Sequence, residues 1–466
     1  MTRAAAIARA EKYFDAGTFR EDLARRVTFR TESQVRESHP ELTRYLKEEL
    51  APAFHRMGYT TEILPNPVEG GGPFLIATRI EDPRLPTVLS YGHGDVIRGQ
   101  EEQWRKGLTP WKLTVEGERW YGRGTADNKS QHLINMLALQ MVLAERGKLG
   151  FNSKFMIDTS EEIGSPGLAE FCVQHKAMLA ADLLIGSDGP RLQPDRPTIF
   201  GGTRGALNFD LTVDLREGGH HSGNWGGILA NPGVILCNAI ASIIDAKGKV
   251  LARDILPRSI PNSVRAALAD CTIEGGADGP KIDEWWGEPG LTPTERCFAW
   301  NTFEVLAMRT GNPDNPVNAV PPRASAHCQI RFTVDVPWQS FLPSLRKHLD
   351  AHGFAMVKVG QSRQEVMAAT RLDPDHPAAR WAAQSIEATT GIKPALLPNL
   401  GGSLPNECFT DTLGLPTVWV PHSYASCSQH APNEHVLAPL MREGLRMATG
   451  LFWDMGDNPP AMAKAA

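Results

Sequence analysis

From Ala206 to Leu215 every second residue is apolar: Leu207, Phe209, Leu211, Val213 and Leu215, with mainly polar residues between them. Such alternation predicts a strand with one packed and one solvated face, the habit of an antiparallel sheet. The preceding chain reads differently. Thr87 to Tyr91, Lys154 to Asp158 and Asp182 to Gly186 are short, largely apolar strand candidates. Between the first two lies Asn128 to Arg146, where Ile134, Leu137, Ala138, Met141 and Val142 recur at helical spacing. Strands alternating with helices predict an α/β layer architecture around a central, mostly parallel sheet flanked by helices. At 466 residues the chain is too long for one simple core. Two domains of different character are therefore expected.

The second domain is outlined by the strand at 206–215 and the elements after it. A helix is expected at Pro232 to Ala246, strands at Thr302 to Leu306 and Ala324 to Val334, a helix at Gln339 to His352, and a strand at Phe354 to Val359. The order β-α-β-β-α-β is that of a ferredoxin-like unit. The expected organisation is a discontinuous α/β domain, residues 1–200 and 369–466, interrupted by an α+β insertion over 201–368. The returning part carries a helix at Ala378 to Thr389 and a strand at Thr417 to Val420. Residues 250–300 fit no element well and read as an excursion within the insertion; its Trp285, Trp286 and Gly287 either shape specificity or serve packing, the favoured reading for Trp. Met1 to Asp15 reads as an amphipathic helix with Ala5, Ile7, Ala8 and Tyr13 near one side. The tail after Asp457 is expected to be disordered.

Charge and cysteine usage exclude several classes. The net charge is −5 and the Lys and Arg residues are scattered, so no nucleic-acid partner is expected. No stretch reaches the roughly 18 to 20 apolar residues of a membrane span, and the first residues lack the apolar core of a secretory signal. The seven cysteines are far apart, without the paired spacing of a zinc or redox site. Reduced thiols in a cytoplasmic protein are the expectation.

The chemistry-bearing residues sit beside the strands. His93 and Asp95 follow the strand at 87–91, Glu161 and Glu162 the strand at 154–158, Asp188 the strand at 182–186, and His430 the strand at 417–420. Asp127 precedes the helix that opens at Asn128. Ligands of open α/β sheets bind beyond the carboxyl ends of the strands, so parallel strands would deliver all these groups to one edge. Each residue alone has an ordinary reading: Asp127 as a helix cap, Glu161 and Glu162 as a solvated acidic pair, Asp188 as a turn residue. Their joint placement points to metal binding. Two divalent ions about 3.5–4 Å apart need a bridging carboxylate against their repulsion. Asp127 is the expected bridge, with His93 and Asp188 on one ion and Glu162 and His430 on the other. Asp95 would accept the other ring N–H of His93 and fix its tautomer. A water bridging the ions would become a hydroxide near neutral pH, with Glu161 taking its proton and passing it to the leaving amine. Neighbours in a strand face opposite ways, so both Glu side chains reach one site only from irregular backbone, for which Gly164, Ser165 and Pro166 are suited.

The set His93-x-Asp95, Gly122-Arg123-Gly124-x-x-Asp127-Asn128-Lys129, Glu161-Glu162, Asp188 and His430 resembles the M20 family of metallopeptidases over nearly the whole chain. His221-Ser222-Gly223 followed by Trp225-Gly226-Gly227, and Gly401-Gly402-Ser403-Leu404-Pro405, look most like its carnosinase-type dipeptidases. The resemblance implies two zinc ions, or manganese or cobalt, and a cis peptide between Asp127 and Asn128. It also implies that the insertion serves as lid and dimerisation domain. His221 would reach from the partner subunit to help stabilise the oxyanion. Asn318 and Arg331 would come from the lid, with Arg331, Ser403 and the N–H groups beside Gly402 on the substrate carboxylate.

The function expected is hydrolysis of dipeptides or short peptides with a free carboxylate. Removal of an N-acyl group from an amino acid at the same site is the alternative. A non-catalytic dimeric scaffold is the remote reading, and it predicts the loss of a ligand or of Glu161.

Overall fold

The computed structural model describes residues 1–273, 280–362 and 366–461. An eight-stranded sheet forms its centre, in the order Thr60–Leu64, Phe74–Arg79, Asn152–Asp158, Thr87–His93, Leu183–Gly186, Thr417–Trp419, Thr198–Phe200, Ala395–Leu397. The four strands from Asn152–Asp158 to Thr417–Trp419 run parallel, so their carboxyl ends share one edge. Antiparallel partners flank this run on both sides. The mixed α/β class expected from the strand–helix alternation is the class found.

Period-two alternation divides each central strand between two cores. Phe155 and Ile157 face a core with the helices Lys129–Arg146 and Ala438–Asp457, through Leu133, Leu137, Met441 and Phe452. Met156, Leu89, Tyr91 and Trp419 face a second core, which continues into the inserted segment. A fully buried Leu or Phe contributes about 1.5–3 kcal/mol, so these two layers hold the sheet edge rigid.

The segment between Phe200 and Ala395 builds a separate four-stranded antiparallel sheet, in the order Thr302–Thr310, Arg323–Phe332, Gly205–Asp214, Lys358–Gln361. With helices Pro232–Ile243 and Phe341–Ala351 this is the β-α-β-β-α-β order read from the sequence. Leu207, Phe209, Leu211 and Val213 pack under the helices. Across the strand pair Ala206 faces Arg331, Asn208 faces Gln329 and Asp210 faces His327.

Several expectations need correction. The final strand begins at Lys358 rather than Phe354, because Phe354 turns back to donate its N–H to Leu349 O and Val357 is a buried turn residue. The N-terminal helix, Arg3–Asp15, buries Ala6 and Ala10 rather than Ala5, Ile7 and Ala8; the small methyls allow close approach to the core helices. The excursion at 250–300 holds two short helices, Asn262–Leu268 and Pro293–Phe298, the second opened by a Thr292–Glu295 capping box. Elements of six or seven residues are too short to display a period. Trp285 and Trp286 are exposed, not packed inside. Of the tail, Asn458 O accepts the indole N–H of Trp381, Pro460 is buried, and 462–466 lie outside the described residues. Among the described residues no helix is long and apolar enough to cross a membrane.

Candidate active site

The carboxyl edge of the parallel run gathers the ligand-type residues into two groups. His93, Asp127 and Asp188 form one, and Asp127, Glu162 and His430 the other, with the offered atoms of each within 4.8 Å of one another. His93 Nε2 lies 2.8 Å from Asp127 Oδ1 and 3.7 Å from Asp188 Oδ2. His430 Nε2 lies 3.0 Å from Asp127 Oδ2 and 2.9 Å from Glu162 Oε2. One carboxylate thus faces an imidazole with each of its oxygens. Asp127 does not cap the helix: Asn128 takes that position, and the bond between them is cis. The second group borders solvent, since His430 is 56% exposed while the His93 side chain is fully buried.

Asp95 acts on both strand-end loops. His93 Nδ1 lies 3.1 Å from the Asp95 backbone oxygen and 3.3 Å from its Oδ1. The same carboxylate accepts the N–H groups of Glu161 and Glu162 at 3.2 and 3.1 Å. Those two residues occupy a 3-10 turn, Glu161–Ile163, closed by Gly164 at φ +89°, so adjacent side chains reach one site from non-strand backbone. Glu161 Oε2 stands 4.0 Å from His93 Nε2, outside both groups of three.

The electrostatics are those of crowded, desolvated acids. Burial pushes Glu162 up to about 7 and Asp188 up to about 6, with the charge of Asp127 adding to both. Burial raises Glu161 well above the carboxylate range. Burial would raise Asp127 too, but hydrogen bonds from His430 and His93 outweigh it and hold the group down. Hydrogen bonds to Asp127 and Glu162 push His430 up to about 11. Protons between imidazole and carboxylate thus do the neutralising that cations would do. Asp188 Oδ2 is buried and has no hydrogen-bond partner among the described residues, a costly state that a bound cation would relieve. The donor set, imidazole nitrogen and carboxylate oxygen, suits zinc, manganese or cobalt.

A cavity of about 960 Å³ opens beside Glu161, Glu162 and His430, with Asn208, Gln329 and Arg331 of the small sheet on its other side. Arg331 Nη1 donates to Ser403 Oγ at 2.8 Å, and its Nε donates to Gln329 Oε1 at 2.9 Å. Ser403 in turn donates to Arg204 O. Gly402, beside Ser403, is exposed. His221 and Asn318 are not among the cavity's lining residues. They sit together on the strand pair His220–His221 and Ala319–Val320, where Ser222 N donates to Asn318 O, and His221 is exposed.

Some supporting residues escaped the sequence reading. Glu434 accepts hydrogen bonds from Arg123 and from the N–H groups of Gly124, Ala126 and Asp127. Gln429 Nε2 donates to Asp127 Oδ2 at 2.6 Å. Asn128 and Gln131 donate to Ser187 O and Gly189 O, on either side of Asp188. Glu434 lies four residues beyond His430, the one signal available; that its carboxylate is buried is invisible without the fold.

Residues 89–454 match Peptidase family M20/M25/M40. The chain belongs to this peptidase family. Among its relatives is the cysteinylglycine-S-conjugate dipeptidase of Corynebacterium striatum, 26% identical over 332 residues, which are 69% of this chain and 70% of that protein. The human Beta-Ala-His dipeptidase is 25% identical over 402 residues, 82% of this chain and 77% of the relative. The solved structure of the di-peptidase Dug1p from Saccharomyces cerevisiae shares the fold with a TM-score of 0.78 at 19% identity, covering 98% of this chain and 100% of that one. Human carnosine dipeptidase 1 does so with a TM-score of 0.74 at 22% identity, covering 97% and 100%. This M20 family member is a peptide-bond hydrolase.

Proposed function

We propose that the enzyme is a dipeptidase or short-peptide exopeptidase working with two divalent cations. The observation that carries this reading is the sharing of Asp127 between two His–carboxylate groups, of which Glu162 and His430 line a cavity whose opposite wall presents Arg331. His93, Asp188 and Asp127 would hold one cation, and Glu162, His430 and Asp127 the other. Zinc fits the donors best, with manganese or cobalt as alternatives. When bound, the pair would supply Lewis acidity toward the scissile carbonyl and lower the pKa of a water.

The chain's own residues do the remaining work. Glu161 takes the water proton and delivers it to the leaving amine; its desolvated carboxyl is suited to hold a proton between the two steps. Asp95 fixes the His93 ring and, through two backbone N–H groups, the turn that aims Glu161. Arg331 and Ser403, with the N–H groups beside Gly402, bind the free carboxylate of the substrate, since a guanidinium fork matches two carboxylate oxygens. The segment 201–368 serves as lid and dimerisation domain. Its outer strand Thr302–Thr310 lies at the sheet edge with Val305, Leu306 and Met308 exposed, a surface on which a second copy can pair. In that dimer His221 and Asn318 reach the partner's cavity. A cytoplasmic location is the reading we attach to the seven unpaired cysteines.

The relatives described above are dipeptidases, which favours peptides over N-acyl amino acids as substrates. The test is a panel of dipeptides against N-acetyl and N-succinyl amino acids, assayed with zinc, manganese and cobalt in turn. Release of amino acids from dipeptides is expected. Turnover confined to acylated amino acids would refute the peptidase assignment.

A further inference from the structure

The loops carrying Asp127 and His430 come from segments some 300 residues apart, and both must be placed to within a fraction of an ångström for one carboxylate to serve two groups. Gln429 reaches Asp127 directly, and one fully buried side chain ties the two loops together over several residues. Glu434 Oε1 accepts the N–H groups of Ala126 and Asp127 at 2.7 and 3.1 Å. Its Oε2 accepts Arg123 Nη1 at 2.8 Å and Gly124 N at 3.1 Å. Its backbone oxygen accepts Gly122 N at 3.0 Å. The loop from Gly122 to Asp127 is therefore wrapped around one anion, with Gly124 at φ +84° making the turn. Arg123, itself buried and lying over Trp104, supplies the counter-charge.

The other end of the joint is a strained loop. Ser428, His430 and Asn433 all have positive φ, a conformation that persists only where the surroundings impose it. The His93/Asp188 position is held differently. His93 ends a central strand and is braced by Asp95, while Asn128 and Gln131 secure the backbone on either side of Asp188. Those supports do not run through Glu434; only Asp127, common to both positions, is tied to it.

We propose that Glu434 is a positioning residue that clamps the Asp127 loop to the His430 loop, so that its loss weakens the Glu162/His430 cation position more than the His93/Asp188 position. The inference rests on the two-cation reading above. In Glu434→Gln the amide N–H₂ must face either Ala126 N and Asp127 N or Arg123 and Gly124 N. Donor meets donor in both orientations, so at least two of the four hydrogen bonds are lost. His430 then drifts relative to Asp127 while His93 and Asp188 keep their supports. Removing such an outer partner of a metal ligand lowers affinity by about 10- to 100-fold.

The test is zinc titration of the full-length enzyme against a competing chelator, with zinc per chain counted by atomic absorption, for wild type, E434Q and E434D. Wild type should take up two zinc ions. E434Q should bind the second about 10- to 100-fold more weakly and lose clearly less affinity for the first, with E434D, which retains the charge but shortens the reach, between wild type and E434Q. Activity of E434Q should recover toward wild type at saturating zinc with KM unchanged, which a general loss of structure would not allow. Equal weakening of both positions, or two wild-type affinities in E434Q, overturns the clamp. Should E434Q fail to fold, E434D decides, and unaltered second-site affinity in it overturns the proposal. A wild type that binds fewer than two zinc ions overturns the two-cation reading and this inference with it.

Discussion

Arg331→Met tests whether the lid arginine reads the free carboxylate of the substrate. The guanidinium carries five N–H donors. One is spent on Gln329 and one on Ser403, leaving three on a half-buried side chain that lines the cavity. A hydrogen bond with a charged partner is worth about 1.5–3 kcal/mol, and partial solvent exposure favours the lower end. Two bonds to a carboxylate then amount to about 3 kcal/mol, on the order of 100-fold in kcat/KM. Methionine keeps an apolar stem of similar reach without the charge. The assay compares kcat/KM for a dipeptide and for its C-terminal amide, in wild type and variant. Wild type should prefer the free acid by on the order of 100-fold, and the variant should process acid and amide about equally. If R331M retains the wild-type preference, the carboxylate is read elsewhere and the assignment of Arg331 falls.

Glu161→Gln should retain both metals yet lose turnover by about 10²–10⁴-fold; near-normal turnover would remove Glu161 from the mechanism. Mixing inactive Glu161→Gln with inactive His221→Ala should restore activity through heterodimers in which one site is whole, and no recovery after subunit exchange would mean that His221 acts within its own chain. In chelator the protein should lose stability as pH rises. The folded-state values of Glu162 (about 7), Asp188 (about 6) and His430 (about 11) are all raised, so these three groups hold more protons in the folded chain than in the unfolded one. Their stabilisation is complete below the unfolded values and is lost as pH climbs through the folded ones. Thermal melts from pH 5 to 9 should fall without metal and flatten with it; a metal-free melt that rises over that window would contradict the proton-for-cation picture.

Much of the fold was legible from period alone. The strand at 205–214 and the helix at 129–146 match their expected bounds to within a residue, because long segments repeat their burial pattern several times. The short helices at 262–268 and 293–298 were not legible, since six or seven residues complete fewer than two helical turns. The exposure of Trp285 and Trp286 ran against composition: how far a side chain is covered depends on neighbours remote in the chain. The ligand types were legible because His93, Glu162, Asp188 and His430 all lie just past strand-like runs. Gln429, Asn128 and Gln131 were not, since a hydrogen bond to a distant loop leaves no mark on local sequence.

The sequence by itself determined the kinds of donor available, the strand ends that carry them, and the interruption of one α/β sheet by an alternating α+β segment. Residue type and period are local properties, readable along the chain. Only the tertiary structure decided that Asp127 presents one oxygen to His93 and the other to His430, that Arg331 shares a cavity with His430 while His221 does not, and that Glu434 joins two loops some 300 residues apart. Distances between remote segments follow from strand order and packing, which no local pattern encodes.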